Sequence, residues 1–507
     1  MRHRALVRIA SGLLLGICWA AGWVHAEDAT VGPQPSLQRV EFEDVAVATL
    51  DHKVDAAARV APATESPAPA LGSVSSEAQP GVAETSDLPA GTVADHKSRL
   101  AALKARLHQH MGAEADPPAE EPAPVPPPGP KIELRQPQCL QNMGISLSGW
   151  LQQGITFNDE HPANRFNGPV ATNDQDSQYQ MNQFWMTLQR PVNTGGDGWD
   201  FGGRIDAMYG TDWRFGINNG LEDRINGFNG QSYGMVLPQA YAEVAHNDLS
   251  VKLGHFAAIL DYEAVPAPAN FFYSHSYCYS YCVPQLVTGV LADYKMDENW
   301  SVQGGFDRGW NQFEDNNHSL DFLGGFRWQS SDRRTTVSYA LSNGPQDLNS
   351  AQNRFVYSLV IQEKLGPRSQ YVLVHDLGVE NNALAGGGAA EWYGLNQYYI
   401  YTLSSQWAAC VRAEWLRDQE GVRVAGPGNI PGVQAWAGHG FAGNFYELTA
   451  GLNWRPQANV IFRPEIRYDW YDGGAGGYGP ANQPGLPFND GRSSSQFLTA
   501  ADLILMF

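Results

Sequence analysis

The sequence predicts an all-β protein, a 16-stranded antiparallel transmembrane β-barrel preceded by a disordered periplasmic segment with one short helix. Three observations predict it. From Ile145 onward apolar and polar residues alternate in segment after segment, with Arg, Glu and Asp recurring on the second face. The connections between segments alternate short and long. The final stretch, Phe497 to Phe507, is one more such segment, apolar or small at every second position and ending on an aromatic ring. A tilted strand of about ten residues with one apolar face spans a bilayer. A half-buried strand of a soluble sheet would share that face. It would not carry charges at alternate positions along strand after strand, which is the pattern of a water-filled lumen.

The elements follow in order. Residues 1–26 read as a secretory signal peptide: Arg2, Arg4 and Arg8 form a basic start, Leu13 to Ile17 lie in a short apolar core, and Val24-His25-Ala26 is a small-residue cleavage site. No later run is long and apolar enough for a membrane helix. Residues 27–130 are rich in Ala, Pro and Glu and nearly free of aromatics, a low-complexity periplasmic segment that cannot bury enough apolar surface to order itself. Within it, residues 93–111 form a short amphipathic helix, with Leu100, Leu103 and Leu107 in phase with Val93. That helix either stands alone or starts a short coiled coil beneath an oligomer. Asp116 to Pro130 is a Pro-rich, extended tether.

Residues 131–507 hold the barrel. Sixteen segments begin near Ile145, Tyr179, Trp199, Pro238, Leu249, Leu286, Trp300, Leu320, Thr335, Phe355, Tyr371, Leu395, Trp407, Phe445, Val460 and Phe497. Short connections such as 246–248 and 456–459 alternate with long ones such as 158–178, 255–285 and 416–443. Short periplasmic turns and long outer loops put both barrel ends on the periplasmic side, which requires an even strand number. Trp199, Trp300, Trp328, Trp407 and Trp454 fall at the short-turn side, and Tyr209, Trp415 and Trp470 at the long-loop side, as two interfacial girdles require. Pro238 and Pro464 interrupt segments whose backbone donors a closed barrel needs, and so point to bulges.

Composition agrees. The chain has 15 Trp, 21 Tyr, 21 Phe and 53 Gly at a formal charge of −20, which becomes more acidic once the three leader arginines are removed. Aromatics with glycines suit barrels better than helical bundles. The acidity argues against nucleic acid as a partner, because phosphate binding needs a basic footprint.

A barrel of this strand number is too wide for side chains to fill, so function depends on what narrows it. Loop 255–285 is the candidate, with the run Phe271-Phe272-Tyr273-Ser274-His275-Ser276-Tyr277-Cys278-Tyr279-Ser280-Tyr281-Cys282. So many rings avoid water. Folded inward, the loop would bring Asp261 and Glu263, with Tyr273, His275 and Tyr277, to face Arg204, Arg412, Arg463 and Arg467 on the wall. Opposed charges across a constriction bias ion passage. Two alternatives stay open: the loop packs over a neighbouring subunit, or the wall charges pair with each other. Cys278 and Cys282 could form a small disulfide or remain two thiols. Cys139 and Cys410 have no evident partner. Asn173, Asp174 and Asp176 could hold calcium, but no CxxC pair or zinc-spaced His cluster is present, and no metal or cofactor is expected. No matched nucleophile and base can be read, so no catalytic residue is assigned.

Gly149-Trp150-Leu151-Gln152-Gln153-Gly154, the stretch Asn270 to Tyr277, and Thr288-Gly289-Val290-Leu291-Ala292 resemble the OmpL-like outer-membrane β-barrel porin family of planctomycete type. The resemblance covers about residues 140–507. It departs where Cys282-Val283-Pro284 replaces the family's Gly-Glu-Pro-like stretch, so charge selectivity is not carried over. It implies a bacterial outer-membrane location and passive diffusion of small hydrophilic solutes and ions. Resemblance to general porins, with the helix seam, implies a homotrimer. The other partners expected are outer-membrane lipid, the barrel-assembly machinery through Phe507, and a cell-wall or periplasmic partner for residues 27–130. A structural barrel that anchors the envelope through that segment is the alternative function. The lumen register holds more acidic than basic side chains, which implies a mild cation bias.

Overall fold

A computed structural model describes residues 134, 136–226, 232–384, 386–424, 440–476 and 485–507. The signal peptide, the 27–130 segment and the 93–111 helix lie outside the described residues.

A short helix α1 (Gln138–Asn142) leads into β1 (Ser146–Asn158). There follow β2 (Gln178–Arg190), β3 (Trp199–Gly210), β4 (Gly234–His246), β5 (Leu249–Ala257), β6 (Leu286–Lys295), β7 (Trp300–Asp307) and β8 (Asp321–Gln329). The second half comprises β9 (Thr335–Pro345), β10 (Asn353–Lys364), β11 (Ser369–Glu380), β12 (Ala390–Thr402), β13 (Trp407–Asp418), β14 (Gly443–Gln457), β15 (Val460–Gly473) and β16 (Ser495–Met506). Each strand pairs antiparallel with its sequence neighbours, and β16 closes on β1 from Trp150↔Met506 to Asn158↔Leu498. Closure leaves no unpaired edge, which a lipid environment demands. The backbone of Phe507 completes the seam by exchanging two hydrogen bonds with Gly149, each 2.9 Å.

Alternation places the faces as expected. On β15 Ile466, Tyr468 and Trp470 are exposed, while Arg463, Glu465, Arg467 and Asp469 are buried inside. On β16 Phe497 faces outward and Asp502 inward. Both prolines sit at breaks. Pro238 lies at the register shift where β4 carries an extra residue opposite β3. At Pro464 the β14–β15 ladder skips Leu452 and Asn453 but keeps its register, so the expected bulge does not fall there; the shift on that ladder lies between Trp454 and Gln457.

Two elements differ from the sequence reading. β5 continues through His255–Ala257, so the loop spans 258–285. The loop after β3 holds a 3-10 turn, Thr211–Phe215, and a helix α2, Glu222–Asn226, where no periodicity signalled either. Such short local turns are held by contacts from distant strands. Glu222 accepts hydrogen bonds from the Leu237 amide (3.0 Å) and the Asn218 amide (2.9 Å).

Candidate functional site: the loop inside the barrel

Loop 258–285 lies against the inner wall formed by β10–β16 and β2, and wall carboxylates fasten its backbone. Glu465 accepts from the amides of Tyr273 (2.8 Å) and Ser274 (3.2 Å). Glu414 accepts from those of Tyr277 (2.7 Å) and Cys278 (2.6 Å). Wall arginines hold its carbonyls: Arg463 donates to Ala267 (3.0 Å) and Asn270 (2.8 Å), Arg412 to Ser274 (2.8 Å), and Arg467 to His275 (2.7 Å). A loop with only two short helical turns thus satisfies much of its buried backbone from wall side chains. Its rings fill the gaps that glycines leave. A Cβ on Gly154 of β1 would come within 2.7 Å of the Tyr273 ring, so that approach requires glycine.

The structure separates the sequence-derived residues into several groups. Glu263 and Arg412 meet at 2.8 Å, and Glu263 also takes hydrogen bonds from Tyr398 (2.6 Å) and contacts His275 Nδ1 (2.6 Å). Burial alone would raise the Glu263 carboxyl, but Arg412 and His275 outweigh it and hold it at about 2. Arg204, Arg463 and Arg467 do not face the loop's acids. Each pairs with a wall carboxylate: Arg204 with Asp206 (2.9 Å), Arg467 with Asp469 (2.8 Å), and Arg463 with Asp502 across β15–β16. Asp261 faces no arginine. Its amide donates to Ser358 (3.1 Å), and burial together with Asp376 and Glu263 pushes its carboxyl well above the ordinary range. Tyr273 and Tyr277 are buried under the loop, their hydroxyls on Asn182 and Asp469 at 2.8 Å each. Cys278 and Cys282 are free thiols, so no disulfide stiffens the loop; they face a wall carboxylate. Of the calcium candidates, Asp174 is gripped by Arg214 with two bonds of 2.6 and 2.7 Å and Asp176 accepts from the Asn158 amide (2.8 Å), while both side-chain polar atoms of Asn173 are buried without a partner.

With the loop packed on one side, the space beside it is what a solute could enter. On the long-loop side lies a cavity of about 520 Å³ bordered by Arg214, Arg354, Arg423, Trp310 and Glu380. Arg423 and Arg354 stack over Trp310, at 4.3 and 4.7 Å from its ring. On the other side of the loop lies one of about 130 Å³, bordered by Arg204, Gln239, Asp261 and Glu263. A third cavity, of about 20 Å³, is lined by Gln183, Asp212, His275, Tyr279 and Gln285. Gln285 borders all three spaces. A volume near 20 Å³ holds about one water. Towards the short turns the inner wall of β3–β8 carries half-buried Arg204, Glu243, Lys252, Asp293, Gln303 and Arg327.

Asp212, Gln183, Tyr279 and Gln285 escaped the sequence reading. Asp212 sits in a loop turn far from the aromatic run, where Asn182 (2.8 Å) and Gln183 (2.9 Å) hold its carboxylate at the smallest cavity. Burial raises that carboxyl above its ordinary range, and the two amides offset this only in part. An inward Gln on β2 was the available signal.

A closed sixteen-stranded barrel with a polar lumen and an inward loop defines a membrane β-barrel of the porin class. A family model described as "Putative beta-barrel porin-2, OmpL-like" matches residues 144–507, and the chain belongs to that family of outer-membrane proteins. Solved structures similar to it include the outer-membrane channel DcaP of Acinetobacter baumannii (10% identity, TM-score 0.47, covering 72% of this chain and 97% of that one). Others are an anion-selective porin from Comamonas acidovorans (9%, 0.48, 72% and 99%) and OmpT of Vibrio cholerae (10%, 0.44, 72% and 97%). No curated protein matches the chain.

Proposed function

We propose that this barrel is a diffusion channel for small hydrophilic solutes and ions, narrowed by loop 258–285. What supports the reading is three cavities of about 520, 20 and 130 Å³ that share lining residues, the smallest of which we take as the neck between the other two. A neck of that size passes water and small ions and excludes larger solutes until its side chains move. Its one carboxylate, Asp212, favours cations there, while the arginines around Trp310 give the wider vestibule a place to concentrate anionic groups. This reading moves the selective point from the Glu263–Arg412 pair, which the loop covers, to Asp212 and Tyr279. It assigns the chain no catalytic role, places residues 27–130 on the periplasmic side, and expects a homotrimer.

Planar-bilayer recording of the purified, reconstituted protein tests the channel. Stepwise conductance with a cation-leaning reversal potential in a salt gradient is expected, and absence of any step conductance would sink the proposal. Native mass spectrometry in detergent checks the assembly: a monomer alone would overturn the trimer.

A further inference from the structure

The channel reading uses the open side of loop 258–285 and leaves unexplained what lies on its packed side. There Cys278 and Cys282 bound a single π-helical turn, Cys278–Cys282, and both are wholly buried. A π-helix has more than four residues per turn, so a spacing of four sends both sulfurs to nearly the same side. Facing them is Asp376, inward on β11 and also wholly buried. The two Sγ atoms and a carboxylate oxygen of Asp376 all lie within 4.8 Å of one another. Neither oxygen of Asp376 accepts a well-formed hydrogen bond. Ser358 stands opposite it on β10, with its Oγ taking the Asp261 amide at 3.1 Å. Asp261 Oδ2, brought into the same neighbourhood, is likewise buried without a partner. Even the wall yields space here, since a Cβ on Gly394 of β12 would collide with Cys278 Sγ.

The donors nearest Asp376 are the Ser358 hydroxyl and, only when protonated, the Asp261 carboxyl, and two carboxylates sealed together away from water are disfavoured unless they share a proton or a cation. Two thiols cannot relieve it well, because S–H is a weak donor. A cation can. Sulfur ligands exclude magnesium and calcium, which take oxygen, and two thiolates with a carboxylate suit a borderline-soft ion without geometric demands of its own. Sulfurs in a tetrahedral zinc shell stand roughly 3.8 Å apart, given Zn–S bonds of about 2.3 Å. The cluster would close by about an ångström at most, a shift within reach of side-chain rotation.

We propose that Cys278, Cys282 and Asp376 form a structural site for a zinc-class dication that pins the return of the loop to β11. On loading, each thiol gives up its proton to solvent and the ion takes the place of both, with no change of oxidation state. The fourth position is left to water or to Asp261. The ion would lock the loop whose open side shapes the neck, joining metal content to channel width.

The full-length protein, refolded under reducing conditions with zinc and then desalted, is expected to retain about one zinc per chain by elemental mass spectrometry. Cadmium in place of zinc is expected to give the ultraviolet thiolate-to-metal charge-transfer band. The Cys278→Ser/Cys282→Ser double variant should lose both signals. Asp376→Asn should lose more affinity than the roughly 10–100-fold that follows removal of a ligand's hydrogen-bond partner. The heat-dependent gel mobility of folded barrels confirms folding of each variant, and the wild-type cadmium spectrum decides the matter if a variant does not fold. Folded, reduced wild type that keeps no metal overturns the proposal. So does metal retained by the double variant, or a Cys278–Cys282 disulfide in protein isolated from cells without reductant.

Discussion

Arg412 shows what a single buried side chain does here. It pairs with Glu447 and Glu263 at 2.8 Å each, donates to the loop carbonyl of Ser274, and lies over the Phe272 ring. Replacing it with Met would leave the buried carboxylates of Glu447 and Glu263 without their shared guanidinium. Breaking a buried pair this way costs about 3–5 kcal/mol. Arg412→Met is therefore expected to lower the urea midpoint of the folded barrel markedly, followed by the loss of heat-dependent gel mobility. Asp212 makes the complementary case for function. Its raised carboxyl is charged above its own pKa and neutral below it. Cation preference at the neck should thus fall as pH is lowered, at pH values above those that neutralise an ordinary aspartate. Reversal potentials across a pH series check this, and Asp212→Asn should show the low-pH selectivity at every pH.

The loop works as an element because the wall is built to receive it. Its rings displace water from one side of the lumen, and its backbone is held by Glu414, Glu465, Arg412, Arg463 and Arg467. Tyr279 is the large side chain it presents at the neck. Tyr279→Ala should widen the neck and raise both single-channel conductance and the size limit in a liposome-swelling assay, at a cost of about 3–5 kcal/mol in stability because the ring is buried. The aromatic run made the loop's inward course legible, since so many adjacent rings are not left in water. The residues at the neck were not legible, because Asp212 and Gln183 reach it from a different loop and strand. Of the wall arginines, Arg412 meets the loop acid Glu263, whereas Arg204, Arg463 and Arg467 pair with wall carboxylates, the alternative that the sequence left open. Asp469 lies two residues from Arg467, yet nothing in a one-dimensional pattern ranks it above an acid in the loop.

At the scale of the whole molecule, closure is what lets the chain exist in lipid. All sixteen strands and the β1–β16 seam lie within residues 146–507, including the backbone exchange of Gly149 with Phe507. Protein lacking residues 27–130 is expected to refold in detergent with the same strand content and to keep its conductance. Loss of conductance would instead show that the segment is part of the channel, and loss of envelope attachment in cells would favour the anchoring role.

Strand number, strand direction, the two faces and the inward tendency of loop 258–285 were determined by the sequence alone. Each is a local property: a period of two, a loop length, a density of rings. The bulge at Pro238 was also legible, since a missing donor must be accommodated where it occurs. Only the tertiary structure decided which charges pair and that Asp376 stands over Cys278 and Cys282. Those contacts join residues far apart in the chain, brought together by barrel register and by the path of one irregular loop. Electrostatic pairing depends on distances of a few ångströms, and no sequence period encodes them.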